Sequence, residues 1–396
     1  MLSILFLVTT FTLRAIGDIQ ISNPQEAEYA SRSIIQELMV PSSSGTETLN
    51  LFLGDQTNTD LTLAPVVQEM LTMLPDPSYT VLGNHDRDLS APSTPFDSTY
   101  RANFGAPYYS FDHGNVHFMI LNNVFATGRK SYRGHIPQEQ LDWLREDVAK
   151  TSRKRQMVVA MHIPAYMTDN ADTLYQIFEQ HQCSHLLILS GHLHQVGRRV
   201  ECRPSGLSVH ELCAGASCGF WWVGERDSEG VPAATMQCGT PRGYFIFDFS
   251  RRGYQFRFKG VNRDASQQMS VYVPGIDSLD QYSDTLSLRA VGSVYATVYG
   301  ACDSTEVFCQ LDDGSWVKGK HVNVMDANVA RIRQMNNDKI YPTRHNRINP
   351  IRRLTSAQVW RFDFDPEQMR GVHRLKIKAS DRWGFEAHGD KVYFMK

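Results

Sequence analysis

Residues 185–194 read HLLILSGHLH. A short apolar run closes on Ser190 and Gly191, and two histidines, His192 and His194, follow at once. A run this short, bounded by glycine and polar residues, predicts a buried strand rather than a helix. Four other stretches share the pattern. FTLRAIG (11–17) ends at Asp18, LNLFLG (49–54) at Asp55, YTVLG (79–83) at Asn84 and His85, and MVVAM (157–161) at His162.

Between these runs lie helical patterns over Gln25–Met39, Asp60–Leu74, Pro137–Ala149 and Ala171–Gln180. Leu141, Leu144 and Val148 recur on one face of the third, which opens on a proline. Strand–helix alternation predicts an α/β core. Ligand sites in such sheets lie beyond the C-terminal ends of the strands, where all five polar clusters fall. After about Val200 strands dominate, over Leu207–Leu212, Tyr244–Phe249 and Tyr254–Lys259. The stretch from Val261 to about residue 288 is polar and reads as a linker, and from Arg289 onward the pattern is all β. The expected organisation is a catalytic domain over 1–260, a linker over 261–288 and a β domain over 289–396.

The bulk numbers set outer bounds. With 396 residues the prior is two or three domains. The hydrophobic share of 42% and charged share of 21% exclude a disordered chain, a coiled coil and a collagen-like repeat. The net charge of −2 gives no global field for nucleic acid. Seven cysteines form no CxxC pair. Four of them (202, 213, 218, 238) share one loop-like stretch, and Cys302 and Cys309 are spaced to close a hairpin disulfide. Met1–Thr10, MLSILFLVTT, has no charged n-region and is too short for a complete signal peptide. It reads as a strand lead-in or a truncated leader. No run approaches the ~20 apolar residues of a membrane span.

Carboxylate, amide and imidazole at the ends of strands make a transition-metal ligand set. The absence of thiolate suits hydrolysis better than structural zinc. A carboxylate such as Asp55 can bridge two ions ~3.5–4 Å apart.

The order Asp18-Ile19-Gln20, Gly54-Asp55-Gln56-Thr57-Asn58, Gly83-Asn84-His85-Asp86, His162 and Gly191-His192-Leu193-His194 resembles the calcineurin-like metallophosphoesterases. The resemblance covers the first ~260 residues at motif level; the remainder looks like the β-sandwich carried by some bacterial members. It implies a two-sheet α/β/β/α sandwich and two divalent metal ions (Mn, Zn or Fe). One ion would be held by Asp18, Gln20, Asp55 and His194, the other by Asp55, Asn84, His162 and His192. The ions would activate a bridging water that attacks phosphorus in a phosphomonoester or phosphodiester. His85 would assist the leaving oxygen, with Asp86 orienting it. The family's usual first motif is D-x-H, and Gln20 stands where that histidine would be, which weakens the first site. Residues 56–60 hold no tyrosine, which disfavours a purple ferric-tyrosinate centre. The resemblance favours a periplasmic or secreted location.

Outside the motifs, Trp221, Trp222 and Arg242 stand in a Gly-rich stretch. They either face substrate or serve packing and turn formation. The basic segment Arg331–Arg353 is either a solvated loop or a collar for an anionic substrate. The substrate is a small or polymeric phosphoester; no RNA or DNA motif is evident, so nucleic acid is not favoured. The rival reading is a non-catalytic scaffold of the same fold that binds a glycan or a partner. The retained His85, His162, His192 and His194 argue against it.

Overall fold

In a computed structural model of the chain, residues 10–40, 45–276, 292–337 and 355–396 are described. Residues 1–9, most of the basic segment and residues 277–288 of the expected linker lie outside the described residues. The chain divides into two compact units. The first comprises Met1–His194, Arg198–Cys218 and Tyr244–Gln255; the second comprises Gln195–Gly197, Gly219–Gly243 and Phe256–Lys396.

The first unit carries β1 (Phe11–Ile16), β2 (Thr48–Phe52), β3 (Ser78–Thr80), β4 (Tyr109–His113), β5 (Val116–Ile120), β6 (Val124–Ala126), β7 (Tyr132–Gly134), β8 (Gln156–Ala160) and β9 (His185–Ser190). Beyond them, β10 (Val196–Cys202) crosses between the units, β11 (Ser208–Ala214) and β12 (Gly243–Ser250) return, and β13 (Gly253–Gly260) crosses again. One sheet has the strand order β13–β12–β1–β2–β3 and another β10–β11–β9–β8–β5–β4. The expected strands at 11–17, 49–54, 79–83, 157–161 and 185–191 are thus β1, β2, β3, β8 and β9. Neighbouring pairs among them run parallel, so their site-bearing ends share one side. The sheets meet through aromatic rings. Phe11 and Phe249 stack at 4.9 Å in one sheet, and each meets Phe118 of the other edge-on at 6.2 Å.

Helices cover the outer faces. The first expected helix is α1 (Pro24–Ala30), a five-residue π segment (Ser31–Ile35) and α2 (Gln36–Leu38). Asn23 caps it by accepting the N–H of Glu26 at 3.0 Å. In its middle the Ser33 hydroxyl donates to Tyr29 O at 2.5 Å, an alternative to the regular ladder in the wider π turn. Next come α3 (Ala64–Thr72), α4 (Ser98–Phe104), α5 (Gln138–Lys150) and α6 (Ala171–Gln180). Leu141, Leu144 and Val148 of α5 join Leu174, Ile177 and Phe178 of α6 in one core against Val159 and Ile188.

Among the described residues the second unit is antiparallel β with one α-helix. Its strands are β14 (Met269–Tyr272), β15 (Ser293–Val298), β16 (Glu306–Leu311), β17 (Val317–Lys318), β18 (Lys320–Val324), β19 (Ser356–Asp363), β20 (Gly371–Ser380) and β21 (Glu386–Met395). They form two four-stranded sheets, β14–β15–β19–β18 and β17–β16–β20–β21. On β20, Leu375, Ile377 and Ala379 are buried in alternation, as their spacing predicts. The antiparallel sheets agree with the β domain expected here, and α7 (Ala327–Asn337) is an addition that the sequence pattern did not predict. The buried Asp326 carboxylate nucleates it by accepting the N–H groups of Asn328 and Val329 at 2.9 and 3.0 Å. None of the seven cysteines is disulfide-bonded, so the expected Cys302–Cys309 bridge is absent. Among the described residues no helix is long and apolar enough to cross a membrane.

Candidate metal centre

The parallel strands release their chains on one side of the first unit, and the turns that follow are unusual. Asp18, Gln20, Asp55, His192 and His194 all have φ between 30° and 76°. Non-glycine residues seldom adopt this left-handed region, and they persist there when the surroundings over-determine them. Glycines that precede the motif residues act in two ways. Gly54 is itself left-handed (φ 98°), and a Cβ there would lie 2.4 Å from His162 Nδ1. Gly83 has an ordinary backbone, but a Cβ would lie 2.0 Å from Asp55 N and 2.2 Å from Asp55 Oδ1. Its role is clearance for the carboxylate rather than conformational freedom.

Five motifs converge through these turns. Asp55, His162 and His192 each present a donor atom within 4.8 Å of the others. His162 Nε2 lies 3.3 Å from Asp55 Oδ2, 3.0 Å from Asn84 Oδ1 and 3.2 Å from His192 Nδ1. Its Nδ1 faces Leu53 O at 2.8 Å, which fixes the ring and leaves Nε2 for the cluster. The four residues expected at the second ion are therefore together. On the other side, His194 Nε2 lies 3.9 Å from Asp18 Oδ1, and the His192 N–H donates to Asp18 Oδ2 at 3.0 Å.

Gln20 is present but turned. Its Nε2 donates to Asp55 Oδ2 at 3.5 Å and Asn58 Oδ1 at 3.4 Å, while its Oε1 faces Cys218 Sγ at 3.9 Å.

Asp86 does not orient His85, against the expectation from sequence. Its Oδ1 accepts the N–H groups of Gln56 and Thr57 at 2.8 and 3.1 Å, and its Oδ2 that of Gly83 at 2.9 Å. The buried carboxylate ties two motif loops together and has no side left for the ring. Thr59 takes that place, with Oγ1 2.8 Å from His85 Nδ1. The His85 N–H donates to Asp55 Oδ1 at 2.8 Å, so the residue that carries the ring also braces the central carboxylate.

The electrostatics follow from packing acids and imidazoles out of water. Asp18, Asp55 and His162 are at most 1% exposed. Burial drives the Asp18 carboxyl well up, with Asp55 adding to it against the pull of His162. Burial also opposes ionisation of Asp55, but the His162 and His85 rings outweigh it and hold that carboxyl low. His162 has its charged form disfavoured by burial, yet Asp55 and Asp18 raise it to about 9. Burial and His162 push His192 down to about 3. Burial and Asp55 raise Asp86 to about 7. Two water-excluded carboxylates among three imidazoles and an amide oxygen are a donor set that fits divalent cations.

Sequence reasoning missed four residues here: Asn58, Thr59, Cys218 and Tyr132. Asn58 was visible only as the last letter of its motif. The Tyr132 ring stands 6.1 Å from the His192 ring, edge to face, and the Arg87 guanidinium lies 5.2 Å from its centre. Arg87 holds that hairpin by donating to Ser131 O at 3.1 Å and Arg129 O at 3.3 Å. Trp221, Trp222 and Arg242 belong to the second unit. There Trp222 and Arg242 are buried, Trp221 packs on Phe220 at 4.5 Å, and Arg242 Nη2 lies 3.5 Å from Asp227.

Comparisons with known proteins identify the family. Residues 11–196 match the family described as calcineurin-like phosphoesterase, and residues 211–386 match the C terminal of calcineurin-like phosphoesterase. The chain belongs to this family of metal-binding hydrolases. Two curated relatives come from Arabidopsis thaliana. Purple acid phosphatase 15 is 27% identical over 141 residues, covering 31% of this chain and 25% of its own length. Purple acid phosphatase 23 is 29% identical over 143 residues, covering 31% and 29%. The chain thus spans little more than a quarter of the curated relatives it matches. Among solved structures, a purple acid phosphatase from yellow lupin (Lupinus luteus) seeds aligns over 63% of this chain and 51% of its own. Its identity is 13% and its TM-score 0.43.

Proposed function

We propose that the chain hydrolyses a phosphomonoester or phosphodiester at a centre of two divalent ions of the Mn, Zn or Fe class. The observation that carries this reading is the convergence of Asp55, Asn84, His162 and His192, beside Asp18 and His194, with Asp18, Asp55, His192 and His194 held on left-handed backbone. Asp55, Asn84, His162 and His192 would hold one ion, and Asp18, Asp55 and His194 the other. Bound there, the ions supply an activated water and offset the charge on the phosphoryl oxygens.

The remaining work falls to the chain. The Leu53 carbonyl and the His85 N–H hold His162 and Asp55 in place before substrate arrives, so little reorganisation accompanies reaction. Thr59 Oγ1 at His85 Nδ1 leaves Nε2 of that ring to hand a proton to the departing oxygen. Asp86 keeps the two loops that carry these groups in register.

The relatives named as acid phosphatases support phosphoester chemistry as a class. The purple variety is not expected here, because residues 56–60 offer no tyrosine. The test is a panel of aryl and alkyl phosphomonoesters and diesters, with and without added Mn²⁺, alongside elemental analysis of the purified protein. Cleavage that depends on bound metal is expected. If no phosphoester is cleaved with any divalent metal, the scaffold reading replaces this one.

A further inference from the structure

We infer that Cys218 is a positioning residue for the first metal site, and that through it Gln20 serves as a hydrogen-bond donor to Asp55 rather than as a metal ligand. This rests on the two-ion reading above.

The argument begins at His194. Its Nε2 faces Asp18 Oδ1 at 3.9 Å, and its Nδ1 faces Cys218 Sγ at 3.7 Å. A neutral imidazole carries one ring proton. For Nε2 to offer its lone pair to a cation, that proton must sit on Nδ1, and a proton there points at the sulfur. Cys218 is fully buried. Its sulfur accepts from Nδ1–H, and its own S–H lies toward Gln20 Oε1 at 3.9 Å. The thiol therefore acts on both sides, fixing the tautomer of one site residue and the amide orientation of another.

The far end of Gln20 is fixed independently. Asn58 Nδ2 donates to Ser22 Oγ at 2.8 Å, which turns Asn58 Oδ1 toward Gln20. Gln20 Nε2 thus meets two acceptors, Asn58 Oδ1 and Asp55 Oδ2. Turning the amide over would set its oxygen against two other oxygens and its nitrogen against the sulfur. A thiol donor at one end and two oxygen acceptors at the other specify the same orientation. The relay His194 Nδ1–H to Cys218, Cys218 S–H to Gln20, and Gln20 N–H to Asp55 links two ligands of one ion by a path that avoids the ion. Such outer partners typically influence metal affinity by ~10–100-fold.

The experiment is Mn²⁺ titration of the full chain by calorimetry, for the wild type, Cys218→Ser, Cys218→Ala, Gln20→Ala and the Cys218→Ala/Gln20→Ala double variant. Melting in chelator serves as the control for folding. The wild type should bind two ions with unequal affinity. Cys218→Ala should weaken the weaker site ~10–100-fold and leave the tighter one unchanged, and Cys218→Ser, which keeps a donor and an acceptor, should recover most of that loss. Gln20→Ala should keep two ions per chain, and the double variant should lose less than the product of the two single effects. Unchanged affinity in Cys218→Ala would overturn the proposal. So would a loss that serine does not recover while chelator melting stays at the wild-type value, since it would mean the thiol only fills space. Multiplicative effects in the double variant would overturn the link to Gln20. A wild type that binds no divalent ion would bring down the two-ion reading itself, and this inference with it.

Discussion

His85 is the residue on which the difference between a hydrolase and a metal-binding scaffold turns. Its backbone braces Asp55, and its ring hydrogen-bonds to Thr59. His85→Asn should therefore keep both ions, as measured by elemental analysis, while kcat falls ~10²–10⁴-fold. The loss should be smaller for p-nitrophenyl substrates, whose leaving group needs less protonation. Loss of metal in this variant would make His85 a ligand instead. At this scale the sequence was informative wherever a polar residue ended an apolar run, because strand geometry carries such residues to one end of a sheet. Asp18, Asp55, Asn84, His162, His192 and His194 were legible for that reason. Thr59, Cys218 and Tyr132 were not, since each is recruited by loop packing that has no spacing rule. Asp86 shows the opposite error: the family resemblance implied that it orients His85, and three backbone donors claimed the carboxylate first.

Among the elements, the β6–β7 hairpin and strand β11 extend the site's surroundings. Arg87 follows the His85 motif directly and holds the hairpin by two carbonyls, with Tyr132 between its guanidinium and His192. Arg87→Ala should loosen Tyr132 and raise KM several-fold while leaving metal content intact; an unchanged KM would show that the hairpin does not meet substrate. On β11, Glu211 is 4% exposed and accepts the N–H of Ala165. Burial lifts its carboxyl from 4.5 to about 7, against the pull of Ala165 and Tyr166. The folded state thus binds this proton more tightly than the unfolded chain does. The stability so gained is full below pH ~4.5 and is lost as pH rises through about 7, a difference of about 3 kcal/mol. Glu211→Gln should flatten that slope in denaturant titrations between pH 5 and 8, and an unaltered slope would refute the assignment. Most strands and helices were readable from periodicity and caps. Helix α7 was not, because its nucleus, the buried Asp326, is selected by burial rather than by an amphipathic pattern.

For the molecule as a whole, the sequence suggested a cut near residue 260, where a polar, linker-like stretch begins. The packing groups the chain otherwise. Gly219–Gly243 belongs with Phe256–Lys396, where Phe220 packs on Met325 and Val329, and Thr240 donates to Gln358 at 2.9 Å. Composition cannot reveal such a return, because the partners are more than a hundred residues apart. A chain ending near Val261 would leave Phe220 and its neighbours uncovered. It should elute as aggregate in size-exclusion chromatography, and a monomeric truncation that still binds metal would show that the first unit folds alone.

The left-handed turns have a consequence at this scale too. Five non-glycine residues in that conformation, at ~1–3 kcal/mol each, sum to the order of a domain's entire net stability of ~5–15 kcal/mol. Cations that bind only the folded chain offset that strain by mass action. Chelation should then lower the melting temperature measurably, and an unmoved transition would contradict this coupling. Under metal scarcity, the quantity to fall first would be the abundance of intact protein, ahead of any change in turnover per molecule.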